Sequence, residues 1–394
     1  MDQVGLSLPS YQPLGKGTRR ARLLVPHAIG ARSKHASSWL VAALWCALLG
    51  RYPQSSGAAG QGAAKETGEL SKLAEGVYAH IVDADSNAVS NAGIVVLERS
   101  VLVFDSHFTP EAGQNLLSQI QGITSKPVRY LVNSHFHPDH THGNQAFPAA
   151  TQMIGSANTR RDMLQKDLPA MNRTISIVQA QLEKMRKEML QEQDPKQREL
   201  VRNQIHSRQS LLDRWSRQRI LPPSIIADDS LSLVEEIREV ELLYLGAGHT
   251  DGDLVLSLPA ERIVFLGDLF FNKAIPNTQD ASLLEWMKTL SEILKLEADK
   301  FVPGHGPVGT KSEVRLFLSY LEELKGLVEP AVARDESLEQ VVRETTLPAK
   351  YSAYAFQNFF PSNVQKMYAE LKAARQSAAP VQPPDAKPPE IGRR

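Results

Sequence analysis

The sequence predicts an α+β fold, a single domain that carries an inserted helical hairpin and C-terminal helices. Short apolar runs bounded by Asp, Ser, Asn or Gly recur before residue 135 and again after residue 229, as consecutive strands of a sheet do. Between and beyond them lie stretches with apolar residues every three or four positions, the spacing of helices that bury one face. The length, 394 residues, exceeds one typical domain but falls short of two large ones, which favours one domain with insertions and tails.

Hydrophobic residues make up 42% and charged residues 22% of the chain, so a sizeable core can be buried and wholesale disorder is excluded. Forty-four basic residues balance forty-four acidic ones. No net field therefore gathers nucleic acid or an anionic membrane, and the expected partner is a small-molecule substrate. The single cysteine, Cys46, lies in an apolar N-terminal stretch. Any metal site further along must use histidines and carboxylates.

Taken in order, residues 1–64 read as targeting region and linker. Arg19, Arg20, Arg22, Arg32 and Lys34 precede an apolar run at 39–49, and small and polar residues follow at 55–64. This is signal-like, with cleavage expected near 58–64 and an exported, periplasmic or secreted product. The run is shorter than the about 20 residues of a comfortable membrane span, so no stable insertion is expected after cleavage. Trp45 beside Cys46 makes a poor lipidation site.

The main domain is placed at 65–377. Strands are expected at 77–82, 92–97 and 101–105, a helix at 110–120, and a further strand at 128–133 that runs into a histidine cluster. Residues 158–223 then read as the helical hairpin. Ile175, Val178, Leu182, Met185 and Met189 line one helix, and Leu200, Ile205, Leu212 and Trp215 the other. Asp194-Pro195 suits the cap and first turn of the second. The hairpin reads either as a lid or homo-oligomerisation arm or, the preferred reading, as a packed elaboration with a solvated face. Strands are expected again at 230–234, 240–245, 254–258 and 262–266, and helices at 282–296, 312–327, 338–344 and 362–371. Residues 378–394 are rich in Pro and charge, without apolar periodicity, and read as a disordered tail.

The chemistry concentrates at Asn133-Ser-His135-Phe-His137-Pro-Asp139-His140-Thr-His142-Gly143-Asn144. On a turn after a strand, His135 and His137 can converge on one ion, with Asp139 and His140 facing a second. Imidazole and carboxylate suit zinc, and no thiolate is available to make a closed structural site. Further ligands should come from the ends of later strands. The candidates are His249 in a Gly-rich turn, Asp268 closing Val264-Phe-Leu-Gly-Asp268 at a strand's end, and His305 in a tight loop fixed by Pro303, Gly304, Gly306 and Pro307.

These residues resemble the metallo-β-lactamase superfamily, whose pattern is His-x-His-x-Asp-His, a single His, a bridging Asp and a final His. The resemblance covers roughly residues 70–308, interrupted by the insertion. It implies a four-layered αββα sandwich with the site along one edge of its two sheets, and two zinc ions per chain. The first zinc would be held by His135, His137 and His249, and the second by Asp139, His140 and His305, with Asp268 bridging. Asp105 matches an aspartate that supports the ligand loop. The implied activity is hydrolysis of a lactam, ester, lactone or thioester carbonyl by a metal-bridging hydroxide, with Asp139 orienting it and accepting its proton. His107 and His142 neighbour the motifs without matching ligand positions, and His80 and His206 carry no signal.

Departures from better-known members narrow the substrate. His137 stands where diiron flavoproteins of this fold carry Glu, Asp268 where true class B β-lactamases carry Cys or Ser, and Phe271 where homoserine lactonases carry Tyr. The Cys-Gly-Arg stretch of glyoxalase II enzymes is absent. Lys273 is either an anion contact or simply exposed. Trp286, Tyr351, Tyr354, Phe356, Phe359 and Phe360 either wall the pocket or pack the C-terminal helices. Two alternatives stand beside the leading reading: a phosphodiesterase of the same fold, which the neutral charge disfavours for long nucleic acid, and a partner-binding protein with a relic metal site, which the complete ligand set disfavours.

Overall fold

In the computed structural model, which describes residues 68–378 apart from 84, 85, 87 and 237, the apolar runs form two sheets. The signal-like region and the tail beyond 378 lie outside the described residues. The first sheet has seven strands in chain order: β1 (Gly68–Ala74), β2 (Val77–Val82), β3 (Ala92–Val96), β4 (Val101–Phe104), β5 (Val128–Val132), β6 (Gln152–Gly155) and β7 (Ile225–Ile226). Pairing is antiparallel from β1 to β4 and parallel from β4 to β7. The parallel step from β4 to β5 requires a crossover. Helix α1 (Pro110–Ile123) makes it, started by Thr109, whose hydroxyl accepts from Ala112 N at 3.1 Å, and by Pro110 in the first turn. After β5 the chain forms a single helical turn, α2 (Pro138–Thr141).

The second sheet has the order β12-β11-β10-β9-β8, built from β8 (Ser230–Glu235), β9 (Arg238–Leu243), β10 (Val255–Leu258), β11 (Ile263–Phe271) and β12 (Lys300–His305). Pairing is antiparallel except between β11 and β12. Strands β1, β6, β7 and β12 were not expected. In β12 the reason is local: Pro303 and Gly304 disfavour a strand, and Pro is tolerated here because β12 is the sheet edge.

The two sheets face each other. Val77, Val95, Leu102, Phe104 and Val132 of the first pack against Val240, Leu242, Leu256, Phe265 and Val302 of the second. The outer face of the first sheet, with Ile94, Val101, Val103 and Leu131, is covered by Leu116, Leu117 and Ile120 of α1. The outer face of the second is covered by C-terminal helices, which follow below. The expected α+β, αββα layering is therefore what the chain adopts.

The segment between β6 and β7 begins with α3 (Ala157–Asp162) and a π turn over Met163–Asp167. It continues as two long antiparallel helices, α4 (Leu168–Gln191) and α5 (Pro195–Trp215). Asp194 caps α5 by accepting from Lys196 N at 2.8 Å. Met171, Val178, Leu182, Leu212 and Trp215 bury the inner face of this hairpin. The C-terminal layer consists of α6 (Leu283–Ile293), α7 (Lys311–Ala333), α8 (Leu338–Glu344) and α9 (Phe360–Ala378). A reciprocal cap between Thr310 and Glu313 starts α7. Among the described residues, no helix is long and apolar enough to cross a membrane.

Beneath α1 lies a buried relay. Gln119 Nε2 stands 3.2 Å from His80 Nε2, and His80 Nδ1 2.9 Å from His107 Nε2; His107 Nδ1 donates to Ser90 O at 2.8 Å. With one proton per ring every bond in the chain is satisfied, and a second proton on either ring would break one. Burial accordingly pushes His80 down to about 4 and His107 to about 3. An unfolded chain takes these protons near 6.5. Stability from the pair is thus present above about pH 6.5 and lost as pH falls toward 4, at up to about 1.4 kcal/mol per pH unit per group. Urea unfolding across this window should be less steeply pH-dependent in a His80→Gln chain than in the wild type; equal slopes would contradict the relay.

Candidate metal centre

The site forms where the ends of β4, β5, β11 and β12 meet along one edge of the sandwich. Asp105 directly follows strand β4, and its left-handed φ of 64° turns its carboxylate under the loop that follows β5. Asp105 Oδ1 accepts from Ser134 N and Oδ2 from Ser134 Oγ, each at 2.8 Å, and Oδ2 also lies 2.8 Å from His140 Nδ1. This carboxylate fixes the start of the ligand loop and aims Nε2 of His140 outward. Burial raises the pKa of Asp105, and His140 and the Ser134 donors oppose the rise.

The remaining ligand candidates enter from the second sheet. Asp268 does not close a strand as expected but sits inside β11, which runs on to Phe271. Gly267 pairs with Pro303 and Phe271 with His305, so four steps along β11 match two along β12. The extra residues bulge β11 at Asp268 and turn its side chain to the sheet edge. His305, expected in a loop, is the last residue of β12. His249 lies on the turn after β9, its backbone region tied by Gly248 N to Thr250 O at 2.9 Å.

All seven candidate ligands come together, in two groups: His135, His137, His249 and Asp268, and Asp139, His140 and His305. Asp268 faces both. Its Oδ2 is 3.1 Å from His249 Nε2 and 3.9 Å from His135 Nε2, while Oδ1 is 3.1 Å from His140 Nε2 and 3.3 Å from His305 Nε2. His137 Nδ1 and His249 Nε2 are 2.8 Å apart, and Asp139 Oδ2 lies 3.3 Å from His305 Nε2 and 3.6 Å from His140 Nε2.

This cluster fits zinc. His135 Nε2, His140 Nε2 and Asp268 Oδ1 are buried without a hydrogen-bond partner, a costly arrangement unless a cation takes them up. Donors on a tetrahedral zinc with bonds of about 2.0–2.1 Å stand about 3.3 Å apart, close to the separations observed. The far nitrogens of two of the rings are held: His135 Nδ1 is 2.9 Å from Ser134 Oγ, and His305 Nδ1 donates to Val89 O at 3.1 Å.

The electrostatics follow from that crowding. Burial pulls the His305 imidazole down, but Asp268 and Asp139 outweigh it and lift it to about 9. His140 is raised well above its usual range against the same burial, by Asp268, Asp105 and Asp139. Burial and neighbouring imidazoles hold His135 well below it. Burial works to raise Asp268, yet His305, His140 and His249 keep it firmly a carboxylate.

Several residues that the sequence left open now have places. His142 Nε2 lies 3.0 Å from Asp167 Oδ2 and stacks on Phe108. Trp286 is wholly buried, donates from Nε1 to Leu269 O at 3.0 Å, and touches the His249 ring at 5.4 Å. Tyr351 and Phe360 belong to the core under the C-terminal helices. Phe271 stacks on His305 at 5.1 Å, and half-buried Phe356 meets that ring edge-on at 5.6 Å. Lys273 is exposed, and His206 is exposed on α5. Sequence reasoning missed Asp280, whose Oδ2 lies 3.2 Å from His137 Nε2. Burial works to raise this carboxylate, but His137 and Lys166 drive it below the usual carboxylate range. Nothing in its local sequence, Asn277-Thr-Gln-Asp280, signals that contact.

Fold and site together define a histidine–carboxylate metal centre on the edge of an αββα sandwich. The profile of the metallo-beta-lactamase superfamily matches residues 87–305, more than half of the chain. The chain belongs to that superfamily, members of which, such as β-lactamases and alkylsulfatases, are hydrolases. It is 31% identical over 111 residues to the metallo-beta-lactamase type 2 of Bacteroides fragilis, covering 27% of this chain and 45% of that protein. To the linear primary-alkylsulfatase of a Pseudomonas species it is 22% identical over 270 residues, 64% of this chain and 49% of that protein. The chain thus spans about half the length of each of these two relatives. Among solved structures, a metallo-beta-lactamase from Pontibacter korlensis aligns with a TM-score of 0.48 at 20% identity, over 65% of this chain and 99% of that one.

Proposed function

We propose that the chain is a dinuclear zinc hydrolase acting on a small-molecule lactam, ester, lactone or thioester. One observation carries this reading: Asp268 directs one carboxylate oxygen at each of two ligand groups. In the proposed assignment His135, His137 and His249 hold one ion, Asp139, His140 and His305 the other, and Asp268 is shared. Zinc so held acidifies a bound water and polarises an electrophile.

The protein's own residues would do the rest. The side chain of Asp139 is 22% exposed against 4% for Asp268, so Asp139 is the carboxylate that a water can reach. Burial works to raise it, but His140 and His305 keep it anionic, ready to orient the nucleophile and accept its proton at a carboxylate oxygen. Phe271, Trp286 and Phe356 shield the outer faces of His249 and His305, which keeps water from competing for the ligands.

The test is a screen of the zinc-loaded chain against nitrocefin, lactones, thioesters and phosphodiesters, with zinc measured per chain. About two zinc ions are expected, and fewer than about one would sink the dinuclear reading. An Asp139→Asn chain should retain its fold and lose at least about 100-fold in turnover of whichever substrate responds. A second reading, hydrolysis of a sulfate ester, comes from the alkylsulfatase match over 64% of this chain, an extent that the metallo-beta-lactamase type 2 of Pseudomonas aeruginosa equals at 68%. Alkyl sulfates therefore belong in the same screen.

A further inference from the structure

We infer that Lys166, at the root of the helical insertion, is a positioning residue for the metal ligand His137, acting through Asp280. This rests on the zinc reading above and extends it to a segment that interrupts the superfamily pattern.

The path is short and continuous. His137 turns Nδ1 toward His249 and leaves Nε2 facing Asp280 Oδ2 at 3.2 Å. The other oxygen of Asp280, Oδ1, lies 3.1 Å from Lys166 Nζ. The same Nζ is 2.7 Å from Asp162 Oδ2 and stands 4.9 Å over the ring of Phe136, the residue between the first two ligand histidines. Asp162 is almost fully buried and also receives Arg161 Nε at 2.6 Å. Arg161 in turn pairs with Asp251, two residues after His249, at 2.7 Å.

The geometry explains why Lys166 matters to His137. Asp280 lies between β11 and α6, outside any helix or strand, so regular structure does not fix its carboxylate. Two cation-side contacts, His137 on one oxygen and Lys166 on the other, hold it in one plane. An Asp so held keeps the His137 proton on Nε2 and leaves Nδ1 free as the ligand atom. A surface ion pair of equal length would contribute little, but this one ends on a ligand ring whose side chain is only 12% exposed.

The π turn makes the delivery possible. Its wider winding sets consecutive residues toward the site: Lys166 reaches Asp280, while Asp167 reaches His142 Nε2 at 3.0 Å. One turn of the insertion thereby grips the ligand loop at two histidines. With carboxylates on two sides, Lys166 is matched in charge and is not left open to a substrate anion.

The experiment measures zinc binding by the full chain in competition with a chromophoric chelator, together with the melting temperature of the metal-free chain. Lys166→Met should weaken zinc binding by about tenfold, the low end for groups that support a ligand, and Asp280→Asn by about 10–100-fold. Lys166→Arg, which keeps the charge, should restore most of the loss. The double variant Lys166→Met/Asp280→Asn should bind no more weakly than Asp280→Asn alone, as residues on one path do. Wild-type zinc binding in Lys166→Met would overturn the proposal, as would Lys166→Arg behaving like Lys166→Met. A wild-type chain that takes up no zinc would overturn the zinc reading and this proposal together, whereas the first two outcomes leave the zinc reading intact.

Discussion

An Asp268→Ala chain should fold, retain at most one zinc ion per molecule after dialysis, and show no measurable turnover of any substrate that the wild type hydrolyses. The carboxylate is shared in a way that no other ligand candidate is: Oδ2 stands 3.1 Å from His249 Nε2, and Oδ1 stands 3.1 and 3.3 Å from His140 and His305 Nε2. Its loss removes a donor from each group at once. The affinity loss should exceed the about 100-fold that accompanies removal of a merely supporting group. Turnover should fall by at least about 1,000-fold, since the two ions could no longer be held in register. Asp268 is also the foremost carboxylate lifting His140 and His305. In the metal-free variant Asp105 and Asp139 remain beside His140, and Asp139 beside His305, so neither ring is left without a carboxylate partner, which favours a folded chain. Elemental analysis alongside a thermal melt checks this. Two retained zinc ions would show that Asp268 is not shared.

How much of this centre was legible depends on whether a contact is carried by spacing. The cluster from His135 to His140 is local, and a strand followed by a turn is enough to converge its side chains, so its geometry can be read from the chain. His249, Asp268 and His305 were legible as polar residues emerging from apolar runs, although the runs were misjudged: β11 extends three residues beyond Asp268, and His305 ends a strand. A bulge has no compositional mark there beyond Gly267, and Pro303 with Gly304 speaks against a strand until the edge position is known. Asp280 and Lys166 were not legible. Their contact joins the loop after β11 to the π turn of an insertion 114 positions earlier, and no periodicity links the two. The hairpin itself was visible in its three-and-four spacing, but not that its first turns reach the ligand loop. The spacing reports the buried face of α4 and α5, whereas the contacts come from the irregular turn that precedes them.

Gly143→Ala should cost at least about 3 kcal/mol of folding stability and lower zinc affinity with it. The residue closes the ligand loop against β4 and α1. A Cβ built on Gly143 would overlap the backbone carbonyl oxygen of Ser106, and the Gly143 carbonyl on the opposite side would be 2.8 Å from a Cβ on Gly113 of α1. Backbone meets it on one side and a second glycine on the other. No rotamer can swing away, so the loop itself must move. That movement would pull on the bonds that seat the ligands. Gly143 N donates to His107 O and Ser106 N to His140 O, both at 3.0 Å, and Ser106 Oγ donates to Asn144 Oδ1 at 2.7 Å. Asn144 and Asn133 exchange amide bonds of 2.8 and 3.0 Å directly before His135. A cost of this size is a large share of the about 5–15 kcal/mol that holds a domain folded. Gly326→Ala supplies the contrast. It is exposed within α7, nothing stands within 4 Å of a Cβ there, and removing a glycine from a helix interior should stabilise by about 0.5–1 kcal/mol. Urea unfolding of the two variants should therefore move in opposite directions. A Gly143→Ala chain within about 1 kcal/mol of wild type would mean that the loop is not pinned by this contact, and that its histidines owe their positions to the carboxylates alone.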